Sequence, residues 1–141
     1  MNQIVHTLKK MPKASIDKVR ELEAETAKQP QVHIETQHSF HAGMYARTIC
    51  IPAGVVIVGA FIKIPTILIF AGDAIVYTGE GAQHWKGYFQ MNSPKDRKLS
   101  FVANQPSFLT MLFVTSATTV EEAEEEFTSE ADNLMTRKGL A

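Results

Sequence analysis

Residues 49–72 read ICIPAGVVIVGAFIKIPTILIFAG, with Lys63 as the only charge. An apolar run of this length is long enough to span a bilayer. Three features turn it toward another reading. Pro52, Gly54, Gly59 and Pro65 cut the run into short pieces. Those pieces are rich in Val, Ile and Thr, which favour strands. Lys63 sits near the middle, where insertion would cost about 2.5–3.5 kcal/mol. Buried strands of a β-protein also read as continuous apolar stretches. The expectation is therefore a folded β-core with no membrane partner.

The neighbouring segments agree. In residues 44–51, Tyr45, Arg47, Ile49 and Ile51 alternate onto one face, and Met44, Ala46, Thr48 and Cys50 onto the other. Pro52-Ala53-Gly54 reads as a turn. A strand follows over 55–61, with Gly59 marking a bulge or a close approach. Two more are expected at 66–70 and 73–78, parted by a turn at Ala71-Gly72-Asp73. Gly79-Glu80-Gly81 then makes a hairpin tip. Segments 85–91, 98–102 and 107–115 complete a set of seven or eight short strands, the pattern of a sandwich or small barrel. Alternation places Trp85 and Phe89 on one face and Tyr88 on the other, as core or subunit-interface aromatics.

Helices are expected on either side. Residues 1–30 form an N-terminal helical arm, with Ser15 as N-cap, Asp17 in the first turn, a narrow stripe of Ile16, Val19 and Leu22, and Pro30 as the stop. So thin a stripe belongs on a larger body or a partner subunit. Residues 117–141 form an acidic helical tail, with two Lys/Arg against seven Asp/Glu. There Thr119 and Glu122 make a capping box, and Val120, Ala123 and Phe127 are the apolar side. A second short helix is expected after Ser129, and the glutamate-rich face reads as solvated surface. Narrow stripes and strand edges that need covering point to a homo-oligomer.

Composition removes several function classes. Fourteen Lys/Arg against fifteen Asp/Glu give a net charge of −1, so no duplex nucleic acid is expected as a partner. The single cysteine, Cys50, cannot form an internal disulfide, and no base stands beside it. The N-terminus has no basic run followed by an apolar segment, so no secretory signal is expected and the cytoplasm is the expected compartment. No glycine-rich phosphate loop precedes a helix, and no serine lies in a nucleophile-elbow context. The remaining candidates are polar groups on strands. Tyr45, Arg47 and Lys63 could face a pocket or barrel mouth. A buried Arg47 needs an anion, with Glu35, Asp73 or Asp96 as internal candidates. Lys95, Arg97 and Lys98 form a small cationic loop, read first as a solvated turn and otherwise as a phosphate or carboxylate contact.

The stretch HSFHAGMYARTI over residues 38–49, leading into Ile51-Pro52-Ala53-Gly54, resembles the opening of small cupin proteins such as those of bacteriophage and bacterial genomes. The resemblance covers residues 31–116. It implies a double-stranded β-helix, or jelly-roll barrel, usually with a divalent metal inside. The ligand positions have changed. Counting from Gly54, the two histidines of the first motif fall at Ala60 and Ile62, and its acid at Thr66 or Ile67. The histidine of the second motif falls at Leu99. None of these has the lone pairs a catalytic site needs from about three converging ligands. His38 and His41 are the one close histidine pair and read as structural.

No catalytic residue, metal ligand or cofactor is therefore assigned. Hydrocarbon at the ligand positions suggests a lumen packed with apolar side chains. The expected function is a metal-free, non-catalytic binding or accessory protein, plausibly phage-encoded. It would either hold a small anionic ligand through Tyr45, Arg47, Lys63, Arg97 and Lys98, or act in the host cytoplasm or a virion through a phage or host protein partner. The alternative is a cupin enzyme of isomerase, epimerase or dioxygenase type with displaced ligands.

Overall fold

The computed structural model describes residues 5–141. It is mainly β, a curled antiparallel sheet with helices at both ends. The strands are β1 (Thr36–His41), β2 (Met44–Ile51), β3 (Val56–Val58), β4 (Thr66–Thr78), β5 (Gly81–Ser93), β6 (Ser100–Ala103) and β7 (Ser107–Val114). Their order is β1-β2-β7-β4-β6-β3, with β5 on the other side of β4. The helices are α1 (Lys13–Thr26) and α2 (Val120–Phe127), and two short 3-10 turns follow at Ala131–Asn133 and Met135–Lys138. No helix among the described residues is long and apolar enough to cross a membrane.

The sheet curls because of β4. The turn expected at Ala71-Gly72-Asp73 does not form, and the chain runs through it as one strand. On one edge β4 pairs with β5 over its whole length. On the other edge it serves two strands in turn: residues 67 to 71 pair with β7, and residues 74 to 77 with β6. The change of partner falls at Gly72, whose φ is +148°. Ser107 enters β7 at that point, accepts from the Asp73 N–H at 3.0 Å, and lies where a Cβ on residue 72 would stand. Glycine here marks a kink and a close backbone approach rather than a chain reversal.

Other differences from the sequence reading are local. The strand expected over 55–61 shrinks to β3. Gly59 donates to Leu99 O at 2.9 Å, so it is a close approach. Residues 36–41 form β1, paired with β2 through Ala42-Gly43, both at positive φ. Pro12, not Ser15, starts α1, and its carbonyl accepts from Ser15 and Ile16. Proline loses nothing there, since the first amides of a helix have no internal partner. The capping box at Thr119 forms as expected, with the Glu122 amide on the threonine side chain at 3.2 Å.

The core joins the sheet to both flanks. Met11 and Val19 of the N-terminal arm and Phe127 of α2 share one apolar cluster with Tyr45, Phe70, Trp85, Phe101 and Phe113. Trp85 lies edge-on to Phe70 at 5.5 Å and to Phe101 at 5.9 Å, while Tyr88 faces outward and is 78% exposed. Aromatic pairs in this geometry add about 0.5–1.5 kcal/mol each beyond their burial. Of the narrow α1 stripe this body buries Val19 and partly Ile16, while Leu22 stays exposed, and the helix packs near β3.

Candidate functional site

The concave side of the sheet is hollow. A cavity of about 770 Å³ lies between the curled strands, α1 and the C-terminal turns. This overturns the expected apolar plug. Side-chain identity alone sets how much volume is available to fill the lumen, whereas the curvature of the sheet sets how much there is to fill. The hydrocarbon lining comes from Ile49, Leu68, Leu99, Phe101, Leu109 and Met111. Gln29, Val32, Gly54 and Lys138 are exposed lining residues and mark where the cavity meets solvent.

The positions that would carry a metal in the resembled family do come together. Ala60, Ile62 and Leu99 all line the cavity. Ile62 donates to Arg97 O at 2.8 Å, and Gly59 to Leu99 O at 2.9 Å, so the two motif segments are adjacent. At the acid position stands Thr66, whose Oγ1 accepts from the Arg97 guanidinium at 2.8 Å. Hydrocarbon, one hydroxyl and a fixed cation are a poor donor set for a divalent ion. Among the described residues no group of three His, Cys, Asp or Glu side chains is gathered as a metal site. The residues present do not fit the family's metal.

Arg97 is 3% exposed and lines the cavity, so the solvated turn expected at residues 95–98 is wrong for this residue. Arg97 precedes β6, held by an isolated bridge to Ile62, and lines the cavity together with Leu99 and Phe101. Its Nη1 donates to Pro94 O at 3.1 Å and Ile64 O at 3.5 Å. Its Nη2 donates to Thr66 Oγ1 and to Met111 Sδ at 3.6 Å. Every one of these acceptors is neutral. Burial pulls the guanidinium pKa down to about 10, which leaves it cationic at neutral pH.

Lys98 is also buried, and it is neutralised. Its side chain has no exposure, and Nζ reaches Glu23 at 2.8 Å and Glu130 at 3.1 Å. Glu130 further accepts from Arg20 at 2.6 Å and from the Phe61 N–H at 2.8 Å. These donors overcome its burial and hold its carboxyl at about 2, below the ordinary 4.5. Glu124 is lowered by Thr136, Arg137 and Arg47 against the opposing effect of burial. The unfolded chain therefore takes up protons first as pH falls. Both acids stabilise the fold above the ordinary carboxylate range and lose that contribution as pH falls, for Glu130 down toward pH 2. Urea titrations at pH 7, 4 and 3 are expected to give a steadily falling midpoint; a flat midpoint would contradict these pairings.

Arg47 lines the cavity and has an internal anion, but not one of the three expected. Nη1 donates to Glu124 of α2 at 2.9 Å and to the Tyr45 hydroxyl at 3.2 Å. The guanidinium also lies 5.3 Å from the Phe127 ring centre. Glu124 is 1% exposed and accepts from Arg137 Nε at 2.8 Å and from the Thr136 hydroxyl. The acidic face of the tail is therefore not wholly solvated surface. A signal was present: Val120, Ala123, Glu124 and Phe127 fall at i, i+3, i+4 and i+7, which puts one acid on the apolar stripe.

Two expected ligand residues stand elsewhere. Tyr45 is buried in the core, with its hydroxyl 2.6 Å from His38 Nδ1. Burial raises the Tyr45 pKa and lowers that of His38. Lys63 is exposed and lies outside the cavity lining. Ser93 and Met111 were not anticipated, and Thr66 only as a position of the resembled family's acid. The Ser93 hydroxyl is buried without a hydrogen-bond partner among the described residues, and its residue pairs with Thr66 across β4 and β5.

No family model matches the chain, and no curated protein matches it. Solved structures do. The ectoine synthase from P. lautus is similar at 13% identity and a TM-score of 0.52, over 70% of this chain and 76% of that one. The salicylate 1,2-dioxygenase from Pseudaminobacter salicylatoxidans is similar at 13% identity and a TM-score of 0.52, over 82% of this chain and 35% of that one. Both are cupin-domain proteins. With its curled antiparallel sheet, its hollow concave face and these neighbours, this chain has a cupin-like fold.

Proposed function

We propose that this chain is a non-catalytic, metal-free cupin-like binding protein whose lumen takes a small anionic ligand, with Arg97 as the anchor. One observation supports the reading above all: a guanidinium buried at the wall of an apolar cavity with no acid within ion-pair distance among the described residues. A buried cation is costly unless a counter-charge compensates it. Lys98 and Arg47 each have a carboxylate of the protein. Arg97 does not, so the compensating charge is assigned to the ligand. Arg47 stands at the same wall and is paired with Glu124.

The test is calorimetric. Wild type and Arg97→Met are titrated with phosphate, malonate, benzoate and octanoate, and scanned for thermal stability. An anion at 100 times its dissociation constant should add about 2.7 kcal/mol to the wild type. The variant should lose that response while remaining folded, because it removes an uncompensated charge. No response to any anion in the wild type would sink the proposal. So would a stoichiometric transition metal in purified protein together with metal-dependent turnover, which would establish the enzyme alternative.

A further inference from the structure

The chemistry of the lumen specifies the class of anion, on the basis of the binding function proposed above. The charged groups that line it can be paired off one by one. Glu23 and Glu130 are held by Lys98 and Arg20, and Arg47 by Glu124. Lys138 is exposed at the rim. What remains deep in the wall is one guanidinium, so one negative charge balances it.

Arg97 also stands beside unused hydrogen-bonding capacity. Thr66 accepts from Arg97, which leaves its own hydroxyl hydrogen free to donate. The Nε–H of Arg97 makes no hydrogen bond among the described residues. A guanidinium edge with a free N–H suits the oxygens of one carboxylate.

The rest of the wall is hydrocarbon, supplied by Leu68, Leu99, Phe101 and Met111 among others. A sugar or nucleotide body would bring hydroxyls and amides into a wall that cannot pair them, and each would lose its water. An apolar body loses nothing there. The cavity, at about 770 Å³, is within the range of pockets that enclose drug-sized molecules. We propose that the ligand is a monocarboxylate on an apolar body, its carboxylate on Arg97 and its hydrocarbon along Leu68, Leu99, Phe101 and Met111.

Octanoate and octan-1-ol are the probes, compared by isothermal titration on wild type and Arg97→Met. Octanoate is expected to bind the wild type at least tenfold more tightly than octan-1-ol. Arg97→Met should weaken octanoate at least tenfold and leave octan-1-ol within twofold. Equal binding of the two probes, or octanoate binding unchanged by Arg97→Met, overturns the assignment. If Arg97→Met does not fold, the octanoate-to-octanol ratio on the wild type decides alone. Binding of phosphate or malonate without octanoate would refute the monocarboxylate and leave the anion-binding function standing. Binding of no anion would refute both.

Discussion

Glu124→Ala is expected to destabilise the fold by about 3–5 kcal/mol, the range for removing one partner of a buried ion pair. The carboxylate is 1% exposed and serves two cations. Arg47 donates to one of its oxygens at 2.9 Å, and Arg137 to the other at 2.8 Å. Truncation leaves Arg47 nearly enclosed with only the Tyr45 hydroxyl and the Phe127 ring beside it. It also releases Thr136 and Arg137, which tie the C-terminal turn to α2. Urea denaturation reads the loss. Glu124→Ala with Arg47→Met should recover a large part of it, because no uncompensated charge then remains. A loss under about 1 kcal/mol in the single variant, or no recovery in the double, would show that the pair does not hold α2 to β2.

Gly72→Ala is expected to be comparably severe. A Cβ at this position would lie 2.2 Å from Ser107 Oγ, 2.5 Å from its Cβ and 2.7 Å from its Cα. Rotating one flexible side chain would not clear a backbone atom. The φ of +148° adds strain for any residue with a side chain. Backbone strain costs about 1–3 kcal/mol and overpacking about 1–3 kcal/mol, so the two together reach roughly 2–6 kcal/mol. Ser107→Gly should relieve only part of the loss, since the clash with the residue 107 backbone stays and the hydroxyl bond to the Asp73 amide goes. A thermal midpoint within a degree or two of wild type would mean that β4 does not kink where β7 gives way to β6.

Both predictions concern interactions between segments far apart in the chain, and this is where the residues alone were least informative. The proline and glycine breaks in residues 49–72 correctly turned an apolar run into strands. Alternation put Tyr45, Arg47 and Ile51 on the buried face of β2, as found. The same logic failed at Gly72. A glycine flanked by small and acidic residues has the same local chemistry whether the chain reverses there or kinks past another strand. Only the arrival of Ser107 distinguishes the two. At residues 95–98 three cations in four residues resembled a solvated loop. Lys98 is nonetheless buried, because α1 brings Glu23 and the tail brings Glu130 to meet it.

The sequence by itself determined the strand-rich core, the capped acidic helix and the hydrocarbon at Ala60, Ile62 and Leu99, because alternation, capping and side-chain chemistry are local properties. Only the tertiary structure decided that the lumen is hollow, that Glu124 and not Glu35, Asp73 or Asp96 answers Arg47, and that Arg97 meets no acid among the described residues. Those outcomes depend on how far the sheet curls and on which distant carboxylates are carried within about 3 Å of a buried cation, where in a low dielectric the pairing is strong.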